Sequence, residues 1–221
     1  MFDLLFPSYC INCGKVGEYL CTKCQKKLKN TLPECYVCRR LSNRYFTHKK
    51  CNRYNLNSVF VGWQYDSITK KLLSQYKYRY ASKLADILSN LIVNRIKETH
   101  FCNLLDKNSL IIPIPITKNH FNKRGFNQSL LIANNLSNFF HFDLRDDLLL
   151  RRNSKKRQST SSLRERKSLG NVFSLSKKIT NRKILLVDDV MTTGTTINRA
   201  AQAFKGNRIQ AIVLFRGKPR Y

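Results

Sequence analysis

Two adjacent carboxylates followed by a threonine-rich turn are the residues of this sequence best suited to binding chemistry. Asp188 and Asp189 follow the apolar run 184–187, which predicts a strand buried on both faces, and the TTGTT turn at 192–196 precedes a predicted helix over 197–204. A turn that enters a helix presents free backbone N–H groups, and the helix dipole there favours an anion. Carboxylates repel a phosphate unless they accept hydrogen bonds from hydroxyls of the same ligand or from metal-bound water. The stretch therefore predicts a site for a phosphorylated sugar, against the simpler interpretation of a turn with a polar helix cap.

The first fifty-odd residues contain metal-ligand side chains in pairs at Cys-x₂-Cys spacing. This spacing lets the two thiolates of one tight turn face the same tetrahedral ion, and two such knuckles complete a closed zinc site. We predict two structural zinc ions, because this segment has too few large apolar residues to form a core without metal. The first predicted set is Cys10, Cys13, Cys21 and Cys24, and the second is Cys35, Cys38, His48 and Cys51. Pairing of the first knuckle with the third is the alternative, and His48 is also interpretable as an ordinary histidine of a basic loop.

The composition of the chain is strongly basic. Of 221 residues, 41 are Lys or Arg and 13 are Asp or Glu, so the formal net charge is +28. This excess predicts a polyanionic partner, although a biased composition that places lysine on ordinary solvated faces would give the same total. The length suits one α/β domain plus a small module. We place the boundary between an N-terminal module, 1–57, and a larger domain, 58–221.

No segment of the sequence has the features of a membrane span or an export signal. The N-terminal residues lack a basic region, and their apolar run is too short for a signal peptide. No apolar stretch approaches the ~18 residues of a membrane span. We therefore expect a cytoplasmic protein without membrane insertion, in which cysteines bind metal rather than form disulfides.

Further strands and helices must position these residues. The predicted elements are strands at 59–63, 110–116, 148–150 and 209–215, and helices at 68–80, at 83–99 and from 127 onward. The strand at 110–116 must end between Ile112 and Ile114, because its two prolines cannot donate in a central ladder. Ser67 and Ser82 are the expected N-caps of the first two helices. The segment 117–128 is predicted to be a basic loop.

These motifs, in this order, give the sequence a family resemblance. The stretch VDDVMTTGTT resembles the phosphoribosyl-pyrophosphate (PRPP) motif of type I phosphoribosyltransferases. Together with PIP…RGFNQ and the N-terminal CxxC pairs, it resembles the competence protein F (ComF) family, also called GntX. The resemblance covers nearly the whole chain. It implies an α/β fold, with a type I phosphoribosyltransferase-like parallel sheet flanked by helices and a small N-terminal double zinc-ribbon module. His48 departs from the cysteine that is usual at this position in the family.

The resemblance also implies roles for individual residues. Asp188 and Asp189 would bind the ribose 2′- and 3′-hydroxyls. Lys118 and Arg124, which follow the strand at 110–116, would contact pyrophosphate together with Mg²⁺, although either one alone is also interpretable as a solvated charge. The residues implied to act in catalysis are Asp188, Asp189 and Arg124. The 5′-phosphate would be held by Thr192, Thr193, Gly194, Thr195 and Thr196.

Basic residues outside that site predict contacts to single-stranded nucleic acid. The segment 151–167 has eight basic residues, one acid and almost no apolar anchor, which indicates a lid, an arm that contacts nucleic acid, or a solvated linker. Tyrosines alternate with bases over 76–80, as in platforms that stack single strands, or else they pack on the core at a helix end. The expected nucleic-acid contacts are Lys77, Arg152, Lys155, Lys156 and Arg157.

Two functions of different classes follow from these expectations. In the first, a ComF-type protein binds PRPP or a nucleotide phosphate and handles single-stranded DNA during cytoplasmic steps of natural transformation. The resemblance also implies a helicase-like competence partner, and the basic charge suits a DNA backbone. In the second, an Mg²⁺-dependent phosphoribosyltransferase uses PRPP on an unknown nitrogen acceptor. The sequence identifies no acceptor-recognition residue and leaves open whether turnover occurs.

Overall fold

The chain folds into a mainly parallel sheet with helices on both faces. The computed structural model describes residues 7–52, 56–78, 80–152 and 172–217. The strands are β1 (Leu56–Gln64), β2 (Leu110–Pro113), β3 (Asp143–Leu144), β4 (Leu149–Arg151), β5 (Phe173–Leu175), β6 (Lys183–Met191) and β7 (Arg208–Arg216). The α-helices are α1 (Thr22–Gln25), α2 (Ser67–Tyr78), α3 (Ala81–Lys97), α4 (Lys118–Arg124), α5 (Gln128–Phe140) and α6 (Thr195–Ala203). Short 3₁₀ turns lie at Asn43–Tyr45, Lys49–Cys51 and Cys102–Leu104.

Five strands form one parallel sheet in the order β1-β7-β6-β2-β3, and β4 pairs with β5 in a separate antiparallel hairpin. The central strands β6 and β7 contain the near-continuous apolar runs that burial on both faces requires. β2 ends at Pro113, as its prolines predicted. In a parallel sheet all carboxyl ends lie at one edge, so the segments that follow β2 and β6 meet there. The predicted α/β class with a mainly parallel sheet is confirmed.

Successive side chains of the central strands enter two separate cores. Leu185 and Val187 of β6 lie in the core covered by α2, α3 and α5. Ile184 and Leu186 lie in the core covered by α6 and the β4–β5 hairpin. This two-residue alternation is what a strand buried on both faces produces. Both faces are therefore closed, and the carboxyl ends of the strands are the part of the sheet that can accept a ligand.

The basic segment after β2 forms a helix where the sequence predicted a loop. α4 begins after Thr117, whose Oγ1 accepts a hydrogen bond from the His120 N–H at 3.2 Å. It ends at Gly125, whose left-handed φ of 76° terminates the helix. A side-chain N-cap and a glycine C-cap are a complete pair of start and stop signals, and they act despite the basic composition between them. Lys118 and Arg124 therefore occupy the two ends of one short helix.

The predicted N-caps of α2 and α3 are wrong. Asp66 caps α2 in place of Ser67, because its Oδ1 accepts hydrogen bonds from the N–H groups of Ile68 and Thr69 at 3.0 Å each. α3 begins at Ala81 without a side-chain cap, so Ser82 has no capping role. Both helices also end about two residues earlier than predicted. Across the described parts of the chain, no helix combines the length and apolarity that crossing a bilayer requires.

The N-terminal module lies along the outer edge of β1. The Thr31 N–H donates to the Gly62 carbonyl at 3.2 Å, and the Gln64 N–H donates to the Lys29 carbonyl at 2.8 Å. These bonds extend the backbone pairing of the sheet by one irregular segment. The module is thus attached through an edge strand of the larger domain, and the boundary between 57 and 58 stays a prediction.

Candidate functional site

The two adjacent acids lie within the C-terminal end of β6. The strand is longer than predicted, because its pairing with β7 continues as far as Met191. The Asp188 carboxyl is buried, and its Oδ1 accepts hydrogen bonds from the Ser129 hydroxyl at 3.2 Å and from the Asp189 N–H at 2.9 Å. Burial, followed by the neighbouring Asp189 carboxylate, raises the pKa of Asp188 well above its ordinary value. The result is a carboxyl group in a fixed orientation, suited to bind a ligand hydroxyl.

Asp189 pairs with a lysine from the other side of the site. The Lys77 Nζ, in the last turn of α2, lies 3.6 Å from Asp189 Oδ2, and the two side chains are 24% and 17% exposed. The structure thus brings to the acid pair a lysine for which the sequence predicted a nucleic-acid contact. A partly exposed ion pair of this kind contributes little free energy. An incoming phosphate can therefore compete with Asp189 for the ammonium group of Lys77.

The threonine-rich turn leads from β6 into α6. Gly194, with a left-handed φ of 79°, is the N-cap of α6, and the free N–H groups of the first helical turn follow it. The hydroxyls of Thr193 and Thr195 lie 2.8 Å apart, and the Thr195 N–H donates to Thr193 Oγ1 at 3.4 Å. A small depression is lined by this turn and by Asp188. We call residues 192–196 the phosphate loop, because hydroxyl and N–H donors converge there with the helix dipole.

A cluster of cations faces the acid pair from α2, α4 and β4. Burial, followed by the positive charges near it, lowers the pKa of His120 in α4. The cationic neighbours of His120 are Arg124, Arg151, Lys77 and Lys123. A concentration of positive charge beside a phosphate loop is suited to a second phosphate or a pyrophosphate.

Arg124, the predicted pyrophosphate contact, belongs to this cluster. Its Nη1 donates to Gln128 Oε1 at 3.1 Å, and its guanidinium lies 5.7 Å from the centre of the Tyr78 ring. These contacts place Arg124 between the ends of α2 and α5. Lys118, at the other end of α4, lines a separate pocket of about 430 Å³ together with Phe121 and Asp146.

Arg151 is a site residue that the sequence reasoning missed. It is half-buried at the end of β4, and its Nη1 donates to the Pro115 carbonyl at 3.1 Å. Burial lowers the pKa of Arg151, whereas the Asp188 carboxylate favours its charged form. Arg152, which the sequence favoured, is exposed. The two-residue alternation of a strand could have separated them, because Leu149 and Arg151 share one face of β4.

The remaining predicted nucleic-acid contacts are Lys155, Lys156 and Arg157, which lie outside the described residues. Ser129, the hydrogen-bond donor to Asp188, was also missed. Its position is nonetheless encoded locally, because Asn127 caps α5 by accepting a hydrogen bond from the Ser129 N–H at 3.1 Å. That cap fixes the first turn of α5 beside the end of β6.

Two clusters of metal-ligand side chains form in the N-terminal module. They are Cys10, Cys13, Cys21 and Cys24 in the first set, and Cys35, Cys38, His48 and Cys51 in the second, and the ligand atoms of each set lie within 4.8 Å of one another. The Sγ atoms of Cys13 and Cys21 are 3.6 Å apart, close to the ~3.8 Å edge of a tetrahedron with Zn–S bonds of about 2.3 Å. The grouping is the predicted one, and the first and third knuckles are not interleaved.

The donor chemistry of both sets fits zinc. Thiolates and an imidazole are its usual ligands, and four protein ligands leave no open position, which is the pattern of a structural site. The Cys38 Sγ and His48 Nδ1 atoms lie 3.3 Å apart, so the histidine faces its set and is not an ordinary loop side chain. The two sets can therefore hold zinc ions and stabilise a module of the zinc-ribbon type.

Comparison with known proteins agrees with this geometry. The family model described as "Phosphoribosyl transferase domain" matches residues 127–219. The chain is 31% identical to "DNA utilization protein YhgH" of Escherichia coli K12 over 142 residues, which are 64% of this chain and 63% of that relative. The matched part thus spans less than two thirds of the length of this relative.

Two other relatives match over more of the chain. "Competence protein F" of Haemophilus influenzae is 26% identical over 94% of this chain and 95% of its own length. "Competence protein ComFC" of Bacillus subtilis is 26% identical over 85% of this chain and 78% of its own length. The fold and the matched domain define a phosphoribosyltransferase-like protein with a cysteine-rich N-terminal module. Over most of its length, the chain is thus similar to competence proteins of the ComF family.

Proposed function

We propose that this chain binds PRPP or a nucleotide phosphate at the acid pair and the phosphate loop, and that it handles single-stranded DNA during cytoplasmic steps of natural transformation. The names of its relatives, two competence proteins and a DNA utilization protein, support a role in DNA uptake. The phosphoribosyltransferase domain supports a ligand that contains a ribose phosphate.

One observation carries the ligand assignment. Asp188 lines the same depression as the phosphate loop, Asp189 lies 3.6 Å from Lys77 Nζ, and Arg151 lies near enough to Asp188 to feel its charge. The carboxylates of the acid pair, which can accept hydrogen bonds from hydroxyls, thus lie near two groups of anion-binding donors. These groups are the phosphate loop and the basic side chains. In this arrangement a ribose ring rests on the carboxylates, its 5′-phosphate takes the loop, and a second phosphate group takes the cations.

A DNA strand offers the same chemistry in repeated form. Each nucleotide carries a sugar and a 5′-phosphate, and the net charge of +28 favours a long polyanion. The PRPP-binding site would then accept the end of a strand while exposed basic residues such as Arg152 follow its backbone. Any helicase-like partner would act on the same strand.

The alternative function is that of an active phosphoribosyltransferase, which the cation cluster favours. Departure of pyrophosphate from C1 leaves an oxocarbenium-like ribose, and Arg124, Arg151 and Lys77 would stabilise the negative charge of the leaving group. Mg²⁺ bound with PRPP would share that charge. The nitrogen acceptor would then attack C1 and release a proton.

A binding comparison on the same purified chain tests the proposal. PRPP–Mg²⁺ and a short single-stranded DNA are each titrated alone and then in excess of the other. We expect one PRPP per chain, and weaker binding of each ligand in the presence of the other because both place a ribose phosphate on one loop. Absence of PRPP binding would overturn the assignment of the site. Release of pyrophosphate on addition of ammonia or free bases would select the enzyme.

The contribution of the basic segment can be measured separately. Neutralising Lys155, Lys156 and Arg157 together should flatten the dependence of log DNA affinity on log salt, because each phosphate contact contributes a slope of about 0.7 for a single strand. An unchanged slope would remove this segment from the DNA footprint.

A further inference from the structure

The second cysteine set is in direct contact with the phosphate loop. Tyr36 lies between the paired ligands Cys35 and Cys38, and its hydroxyl donates to Asn198 Oδ1 in the first turns of α6. A Cβ placed on Gly194 would lie 3.1 Å from two carbon atoms of the Tyr36 ring. The ring therefore packs on the glycine of the loop, at the point where α6 begins.

Arg39, which follows the same knuckle, contacts the loop from a second direction. Its Nη2 donates to the Thr192 carbonyl at 3.3 Å and to the Gly217 carbonyl at 3.5 Å. The Arg39 backbone adopts a left-handed φ of 60°, and its N–H closes the knuckle by donating to the Cys35 carbonyl at 2.8 Å. The direction of the side chain thus depends on the turn that the metal ligands form.

The turn from Cys35 to Cys38 is also bonded to the C-terminal end of β7. Arg216, the last residue of β7, donates from Nη2 to the Tyr36 carbonyl at 2.8 Å, and its Nε lies 3.2 Å from Glu34 Oε1. Arg216 is buried. A buried, charge-assisted attachment of this kind holds the knuckle in one position against β7, so a change in the knuckle is transmitted to the loop.

We propose that Tyr36 and Arg39 are positioning residues of the phosphate loop, and that metal in the second cysteine set and a phosphate ester on the loop strengthen each other's binding. The ligand half of this statement rests on the proposed function. The physical basis is that metal fixes the turn from Cys35 to Cys38, and this turn carries both positioning side chains. Because coupling between two binding sites is reciprocal, the ligand must tighten metal binding by the same factor.

The first test compares neighbouring arginines with ribose 5-phosphate as the calorimetric probe. Arg39→Gln should weaken binding about three- to tenfold, the value of one or two lost hydrogen bonds. Arg40→Gln is the matched control, because Arg40 is an exposed arginine one residue away without a side-chain contact among the described residues. Arg39→Lys should recover part of the affinity. Equal losses in Arg39→Gln and Arg40→Gln would show a charge effect and overturn the positioning role.

The tyrosine allows a graded comparison. Tyr36→Phe keeps the ring on Gly194 and loses the bond to Asn198, so it should cost less affinity than Tyr36→Ala, which loses both. The same affinity in both variants and in the parent chain would overturn the role of Tyr36.

Reciprocity is measured through the metal. In a Cys13→Ser chain the intact set is the second, and its zinc is titrated out with a chromophoric chelator. Saturating ribose 5-phosphate should raise the zinc affinity by the factor by which zinc raises the affinity for ribose 5-phosphate. Identical zinc release with and without the ester would overturn the coupling.

Amide hydrogen exchange separates this inference from the proposed function, because it needs no ligand. Loss of the second metal in Cys38→Ser should speed exchange at the amides of 192–196 and leave β2 unchanged. If the loop responds and ribose 5-phosphate still fails to bind the parent chain, the phosphate function fails and the structural coupling stands. If loop exchange does not respond, the coupling fails.

Discussion

The two cysteine sets share their ligand spacing and differ in their surroundings. In the first set, Cys10, Cys21 and Cys24 are buried and belong to the core that α2, α3 and α5 cover. In the second set Cys35 alone is buried, and the neighbouring Tyr36 belongs to the opposite core, with Met191. The first set thus contacts one face of the sheet through its own cysteines, and the second reaches the core of the other face through Tyr36. The first set is part of a hydrophobic core, whereas the residue next to the first ligand of the second set packs on Gly194.

We expect the largest loss of ligand affinity from substitution of the acid pair, and the effects of the cysteine sets can be measured against it. Asp188→Asn combined with Asp189→Asn should weaken PRPP–Mg²⁺ binding by a few hundred-fold or more, since each lost charge-assisted bond is worth about 1.5–3 kcal/mol. Stability should hold or rise, because the substitution removes two adjacent carboxylates. Calorimetric titration and a thermal melt of the same variant measure both quantities.

A matched control for the acid pair removes two charges elsewhere. Glu18 and Glu98 are exposed, and their double change to Gln should leave PRPP affinity within about twofold, as expected for surface positions. Lower stability of the Asp188/Asp189 variant with unchanged affinity would instead mean that the acids only stabilise the start of α6.

The two sets can be compared directly through one exposed thiol in each, Cys13 and Cys38. Elemental analysis of the parent chain should give about two zinc ions, as two closed four-ligand sets require. Cys38→Ser should lower affinity for ribose 5-phosphate about tenfold, within the usual range of coupling between sites. Cys13→Ser should chiefly make the segment around the first set, 10–24, sensitive to protease and leave the second set folded. Equal losses of phosphate affinity in both variants would erase the distinction between the sets.

Two glycines, one beside each cysteine set, allow the sets to be compared through substitutions with smaller expected effects. Gly194 and Gly14 have φ values of 79° and 76°, but an added Cβ meets the Tyr36 ring at Gly194 and nothing within 4 Å at Gly14. Both alanine variants should lose roughly 1–2 kcal/mol of folding free energy through the left-handed backbone. Gly194→Ala should in addition lose phosphate affinity, because the ring or the loop must move. Chemical unfolding and ligand titration of the two variants separate these effects.

The smallest expected effect is a pH dependence of the free energy of unfolding that arises from the buried Asp188. Because the pKa of Asp188 is raised in the folded state, the folded chain binds this proton more tightly than the unfolded chain does. The free energy of unfolding contributed by this group therefore falls as pH rises above the ordinary pKa of 3.8, until the folded pKa is passed. Asp188→Asn should flatten this slope in urea unfolding measured from about pH 4 upward. Glu98→Gln, a change at an exposed acid, is the matched control for this measurement.

The features that depend on residues close together in the chain could be predicted from the sequence. The four ligands of each cysteine set span fewer than twenty residues, and the strand, acids and turn around Asp188 are continuous, so their pattern predicts their geometry. The pairing of Lys77 with Asp189 and the packing of Tyr36 on Gly194 join residues more than a hundred positions apart. No periodicity or cap signals such contacts, because they depend on how separate elements meet.

The remaining differences between the predicted and the observed elements arise where neighbouring residues could each have played the same local role. Asp66 and Ser67 are both possible N-caps, and the carboxylate captured the two N–H groups. The basic segment after β2 became helical because Thr117 and Gly125 supplied both ends of a helix, which its charge had obscured. At the start of the segment 151–167, composition made Arg151 and Arg152 look equivalent, although a strand must turn them to opposite sides.

The attachment of the N-terminal module along β1 also bears on how the molecule avoids self-association. An open edge strand offers unpaired N–H and C=O groups to any other strand, and β1 is nine residues long and mostly buried. Thr47 occupies part of that edge, because its N–H donates to the Asn57 carbonyl at 2.7 Å and its hydroxyl donates to the Leu56 carbonyl at 2.6 Å. The opposite edge, β3, is two residues long and offers little template. By covering the long edge, the cysteine-rich module also keeps β1 from pairing with strands of other molecules, and a chain whose module unfolded would expose β1 to such pairing.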